Sequence, residues 1–292
     1  MKKIICFIII AFSFLMSFAQ VPSTDIFIVD VTVEKGKYVF GNPFNITHRD
    51  GYDNQPSFSY DGSVLLYSSM RDTLQTDIFY YRFIDSTTSR VTESKESEYS
   101  PVMLADGKHI SVISVDSSKA QHFCTINALD QKVSPLITGE DSAAYYVWLS
   151  PSVFAMCVLN RIMNLNIYKL IEGSFAQVTS NVGRCLVKYP NTEDVCFVQI
   201  VSDSDKTIMR YSHKSGPVYA VGKVLQGSED FTVMPDGNFM MGKDGKLFVL
   251  NVFEKKWKEI ADFSKTVGNF YRLVASPDGK RIALVSYAGK KP

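Results

Sequence analysis

Ala275-Ser276-Pro277-Asp278-Gly279-Lys280-Arg281-Ile282-Ala283-Leu284-Val285-Ser286 is the stretch from which the fold can be read. Ser-Pro-Asp-Gly is turn chemistry, and an apolar run follows it at once. The same plan recurs as FSYDGSVLLYSS (Phe58 to Ser69), MLADGKHISVIS (Met103 to Ser114), WLSPSVFAMCVL (Trp148 to Leu159), KYPNTEDVCFVQ (Lys188 to Gln199) and VMPDGNFMMG (Val233 to Gly242). With Tyr60, Ala105, Pro151, Pro190, Pro235 and Pro277 taken as equivalent, the steps are 45, 46, 39, 45 and 42 residues. Strand-turn-strand units at that period describe a β-propeller, in which no blade can bury its faces alone.

Each unit reads as four strands. One strand precedes the turn, as in Gln55 to Ser59, Ser100 to Leu104, Tyr145 to Leu149 and Tyr271 to Ser276. The next follows it and is apolar throughout, as expected for a strand covered by a blade on each side. The Asp-Gly pairs suit tight two-residue hairpins, since both residues tolerate positive φ. A third strand alternates, as in Asp77 to Tyr81. The fourth is short and polar, often ending in Val-Thr or Ile-Thr, which befits an outer edge.

The two ends of the chain complement each other. From about Ser264 the sixth unit has only its first two strands. Thr24-Asp25-Ile26-Phe27 matches Thr76-Asp77-Ile78-Phe79 and is followed by a Glu34-Lys35-Gly36-Lys37 turn and Asn45-Ile46-Thr47. Residues 24–47 thus complete the last blade. The expected fold is all-β: a six-bladed propeller of four-stranded antiparallel blades, at about 48–92, 93–138, 139–179, 180–224, 225–262, and 263–292 with 24–47. Residues 20–292 form a single domain on this reading.

The first residues are of another kind. Met1-Lys2-Lys3 is basic, Ile4 to Met16 is apolar, and Ser17-Phe18-Ala19 places small residues ahead of Gln20. This is the pattern of a secretory signal peptide over residues 1–19, too short for an ordinary span; the alternative is an uncleaved anchor. The mature chain is expected in the periplasm or outside the cell, with no membrane span. A formal net charge of +1 carries no signal for nucleic acid. Cys124, Cys157, Cys185 and Cys196 remain, with no CxxC pair. Cys185 and Cys196 lie on two arms of one hairpin, with Cys196 opposite Val187. They form either a strained diagonal disulfide or, with the other two, buried thiols.

Gln55-Pro56-Ser57-Phe58-Ser59-Tyr60-Asp61-Gly62, Leu65-Leu66-Tyr67-Ser68-Ser69, Thr76-Asp77-Ile78-Phe79 and Ser276 to Ala283 resemble the WD-like repeats of TolB-type six-bladed propellers. The resemblance spans nearly the whole mature chain and is strongest in blades one, two and six. It leaves out the α/β domain that precedes the propeller in TolB. It implies a periplasmic scaffold whose partners are envelope proteins or peptides. Propellers of the prolyl-oligopeptidase type carry similar blades, but the GxSxG elbow of their hydrolase domain is missing from this sequence.

No HxH, HExxH, Walker A, GxGxxG or EF-hand motif occurs, and His48, His109, His122 and His213 fall in different units. The innermost strands are the better place to look. Six residues before the reference turn position stand Asn54, Tyr99, Tyr145, Arg184, Glu229 and Tyr271; one residue earlier come Asp53 and Glu98 in the first two blades. If these strands line the channel, the residues ring one mouth. Aromatic rings, an arginine and carboxylates together suit a peptide or small polar ligand. The plain alternative is solvated residues at strand starts. A third reading converges Asp53, Glu98 and Glu229 on a weakly held divalent cation, as in a lactonase or phosphotriesterase. The function read from the sequence is that of a non-catalytic, monomeric binding scaffold needing no cofactor, with the metal-dependent hydrolase as its rival.

Overall fold

Six separate hydrophobic clusters hold the molecule together, one at each contact between neighbouring blades. The computed structural model describes residues 21–71 and 75–288; the expected signal peptide and the last four residues lie outside them. All the sheets are antiparallel, and no helix is present among the described residues. The innermost strands are Tyr52–Phe58, Ser97–Met103, Ala143–Ser150, Val182–Lys188, Phe231–Val233 and Phe270–Ala275. Each blade touches the next through its innermost strand or that strand's sheet partners, and the last touches the first, so the ring is closed.

The apolar runs explain this packing. In Arg281–Tyr287, Ala283 and Val285 join the cluster shared with blade one, whereas Ile282 and Leu284 join the cluster shared with blade five. Alternate side chains point to opposite faces of a strand, so a strand buried on both faces has no polar side.

Closure is made by the N-terminal strand Thr24–Glu34, which lies between Arg281–Tyr287 and the edge strand Lys37–Phe40. Thr24 pairs with Tyr287 and Asp30 with Arg281. Ile26 and Ile28 enter the cluster with blade one; Val29 and Val31 enter that with blade five. The outer edge differs from expectation. Its strand begins at Lys37, directly after the left-handed Lys35-Gly36 turn, and Phe44–Asn45 rejoins the sheet opposite Phe27 and Ile28. The 11-residue strand outruns its inner neighbour and so holds two short partners end to end.

The Asp-Gly turns are also built differently. Gly62 (φ 69°) and Gly279 (φ 70°) are left-handed, but Asp61 and Asp278 are not. Five-residue loops replace the two-residue hairpins. In each, the glycine N–H donates to the serine carbonyl (Gly62 to Ser59, Gly279 to Ser276), and the serine hydroxyl donates to the aspartate. The aspartate then accepts backbone N–H groups beyond it, from Ser63 and Lys280. Aspartate serves as an internal cap, and only the glycine needs positive φ. In blade four the left-handed residue is Asn191 (φ 56°), at the aspartate's position, and the Thr192 N–H donates to the Tyr189 carbonyl.

All four cysteines are free thiols. Cys196 does stand opposite Val187, but the strand carrying Cys185 shifts register between Val182 and Leu186. That shift turns the Cys185 sulfur towards the next blade, where it accepts from the Phe231 N–H at 3.3 Å. Burial pushes the Cys157 thiol up to about 12.

Candidate functional site at one channel mouth

A break in register recurs where the innermost strands enter the channel. It falls between Asn54 and Ser57, Tyr99 and Val102, Ala143 and Tyr146, Val182 and Leu186, and Phe270 and Arg272. Gln55 and Ser100 take left-handed backbone there (φ 54° and 52°). A bulge re-aims side chains that strict alternation would place on opposite faces. In blade six the break turns Arg272, the residue just after the predicted ring, to the axis; its equivalent in blade five, Asp230, stands just before the strand Phe231–Val233 and outside its ladder.

Asp230 is the hub. Its carboxylate accepts from Arg184 Nε (2.9 Å) and Nη2 (3.2 Å) and from Arg272 Nε (3.0 Å). Arg272 Nη1 donates to Asn54 Oδ1 at 2.8 Å, and the Asn54 amide donates to the Tyr271 hydroxyl at 2.5 Å. The Arg184 guanidinium lies 5.6 Å from the Tyr271 ring centre. Burial works against the charge of both arginines, but the Asp230 carboxylate outweighs it and holds their pKa above the ordinary value. Burial likewise raises the Tyr271 phenol. This network ties blades one, four, five and six together across the ring. On one side of it lies an inner cavity of about 250 Å³, reached by Tyr145 and Arg184.

On the other side is the mouth, a cavity of about 880 Å³. Arg184 and Glu229 lie at its base, the turn at Asp203–Lys206 and the segment Lys223–Ser228 on one flank, Lys243 and Asp244 beyond, and Tyr271 and Tyr287 opposite. Glu229 Oε1 accepts from the Arg184 backbone N–H at 2.8 Å and Oε2 from Lys206 Nζ at 3.2 Å. Tyr271 and Tyr287 stack with ring centres 4.5 Å apart.

Of the eight residues chosen from the sequence, Asn54, Arg184 and Tyr271 thus share one network, with Glu229 beside it. Tyr99 and Tyr145 are half-buried in the second and third blades. Asp53 and Glu98 do not join them. Asp53 is fully buried; it accepts from Arg49 at 2.8 Å and Ser69 at 2.5 Å, and burial raises its pKa despite both bonds. Glu98 is buried beneath its own loop and accepts from Ser94 and Thr92. Among the described residues, no three His, Cys, Asp or Glu side chains are grouped to hold one metal ion. Asp230 and Arg272 are what the sequence reading missed. The available signal was opposite charge at the same repeat position in adjacent blades.

Glu98 yields a pH prediction. Burial pushes its carboxyl up to about 7, against the hydrogen bonds of Ser94 and Thr92. A carboxyl with a raised folded pKa binds its proton more tightly when folded, so stability falls as pH rises from about 4.5 through about 7. The loss amounts to roughly 3 kcal/mol across that window. Glu98→Gln is expected to melt close to the parent at pH 4.5 and clearly above it at pH 8. Equal melting temperatures for the two proteins at pH 8 would refute this.

No family model and no curated protein matches the sequence. Solved structures do match in shape. TolB from Acinetobacter baumannii superposes with a TM-score of 0.60 at 13% identity over 92% of this chain, which spans 65% of that protein's length. A putative TolB from Agrobacterium tumefaciens gives 0.69 at 12% identity, covering 92% of this chain and 100% of that one. A gluconolactonase from Xanthomonas campestris gives 0.62 at 8% identity, covering 88% and 94%. Similarity this distant speaks for architecture, and the chain has the TolB-like six-bladed β-propeller fold.

Proposed function

We propose that the protein is a non-catalytic binding scaffold of the periplasm or the extracellular space, holding an envelope protein or peptide at the mouth described above. The observation that carries this reading is the cavity of about 880 Å³ set over the Asp230 network. Its volume falls in the roughly 300–1,000 Å³ range of ligand sites. Its walls combine stacked aromatic rings with charges of both signs, the mixture that binds peptides through anchors and hydrogen bonds. Beneath it, both carboxylates are engaged: Asp230 accepts from Arg184 and Arg272, and Glu229 accepts from Lys206 and the Arg184 N–H.

The test is recovery of the tagged mature protein from its own envelope fraction, in parallel with a Lys243→Glu/Tyr287→Ala variant. Lys243 is half-buried and Tyr287 is 52% exposed on the cavity wall, so neither change disturbs a core. A stoichiometric protein partner is expected with the parent and is expected to fall at least about tenfold with the variant, as for loss of an anchor worth 1.4 kcal/mol or more. A partner held equally by both proteins would place binding elsewhere on the surface.

A further inference from the structure

The charges at the base of the mouth do not balance. Three cations, Arg184, Arg272 and Lys206, are held by two carboxylates, Asp230 and Glu229. Asp230 is 4% exposed and accepts from both arginines. Glu229 accepts from Lys206 and from the Arg184 backbone. One positive charge is left over in a recess where water screens poorly. Arg184 Nη1 makes no hydrogen bond among the described residues, and the Arg184 side chain is 34% exposed. The exposed rim has the opposite sign, with Asp203 and Asp244 facing Lys243 and the Lys223–Asp205 pair.

Local backbone makes room for this arrangement. Gly183 adjoins Arg184, and a Cβ there would lie 2.4 Å from Glu229 Oε1. The glycine lets the carboxylate tuck against the strand, where it takes the Arg184 N–H and Lys206. Arg184 is left facing the cavity, beside the stacked Tyr271 and Tyr287.

We infer that the mouth recognises a carboxylate next to an aromatic or apolar side chain, the chemistry of a peptide's C-terminal residue. The carboxylate takes the free edge of Arg184 and the excess charge, and the side chain lies against the tyrosine pair. The acidic rim favours a ligand whose other end is neutral or basic. This inference rests on the mouth being the binding site.

Calorimetric titration with three probes tests it: acetyl-Ala-Ala-Phe as free acid, its C-terminal amide, and acetyl-Glu-Ala-Phe-amide. The free acid is expected to bind at least about tenfold more tightly than the amide, the usual worth of a charged hydrogen bond. Lys206→Gln should weaken the free acid, and Glu229→Gln should tighten it, because the first removes the excess charge and the second doubles it. Glutamine at 229 still offers an acceptor to the Arg184 N–H. If the Glu-containing amide binds like the free acid, a side-chain carboxylate serves as well and the chemistry stands. Equal binding of acid and amide, no binding of either, or weakening by Glu229→Gln would overturn the inference. Should it fail while the envelope partner still depends on Lys243 and Tyr287, the mouth remains the binding site and only its carboxylate chemistry is wrong.

Discussion

Removing residues 24–47 from the protein is expected to abolish the cooperative fold. The deletion takes away a strand paired along its length with Arg281–Tyr287 and leaves that strand as an open edge. It also takes buried side chains from two of the six clusters at once, since Ile26 and Ile28 are lost from one and Val29 and Val31 from the other. Four buried aliphatic side chains at about 1.5–3 kcal/mol each amount to roughly 6–12 kcal/mol. Net stability of a domain is only about 5–15 kcal/mol. Circular dichroism melting of the truncated protein should therefore show no sharp transition. A synthetic peptide of residues 24–47 should restore one, because the register is carried by hydrogen bonds and side chains with no covalent link. A truncated protein that melts like the parent would refute closure by these strands.

Asp230→Ala is expected to have the next largest effect. It strands Arg184 and Arg272, whose side chains are 34% and 16% exposed, without the carboxylate they share. Breaking such a buried pair from one side costs about 3–5 kcal/mol, and the partial exposure of Arg184 favours the lower end. For a domain of this size that is a fall in melting temperature of roughly 5–9 °C. Adding Arg272→Met to Asp230→Ala should recover part of the loss, since one unpaired charge is then removed. If Asp230→Ala melts within a degree of the parent, the arginines find solvent and the network does not brace the ring as described. Charge reversal at Arg184 carries the same structural cost, which is why Lys243 and Tyr287 are the better probes of binding.

The architecture was legible because it depends on composition repeated at a period. Ser-Pro-Asp-Gly before an apolar run can be counted, and the match of Thr24-Asp25-Ile26-Phe27 to Thr76-Asp77-Ile78-Phe79 showed which blade the N-terminus must complete. The site was legible only in outline. Aligning the repeats found Asn54, Arg184, Glu229 and Tyr271. The ring was drawn from that position and the one before it, which left out the position after, where Asp230 and Arg272 stand. A bulge carries no residue signature of its own; Gln55 and Ser100 adopt left-handed backbone although neither type favours it. Asp53 and Glu98 looked like rim acids because an acid at a strand start is usually solvated. What decided otherwise were partners distant in sequence or hidden in a loop: Ser69 for Asp53, and Ser94 and Thr92 for Glu98. The Asp-Gly turns were read from their residues correctly as turns and incorrectly in type, because the capping serine and aspartate let the loop lengthen.

The pairing of Thr24 with Tyr287 also sets an order of events during synthesis. The strand that closes the ring is made first, and its partner is made last. At about 5–20 residues per second, the interval is some tens of seconds. Throughout that time Ile26, Ile28, Val29 and Val31 have no blade to enter. The earlier blades can pair their own strands as they emerge, each with its neighbour. The N-terminal segment must wait as a tethered, sticky strand, and the final step of folding is its capture between Arg281–Tyr287 and Lys37–Phe40. Whatever attends this chain on its way to the folded state has that one segment to shield.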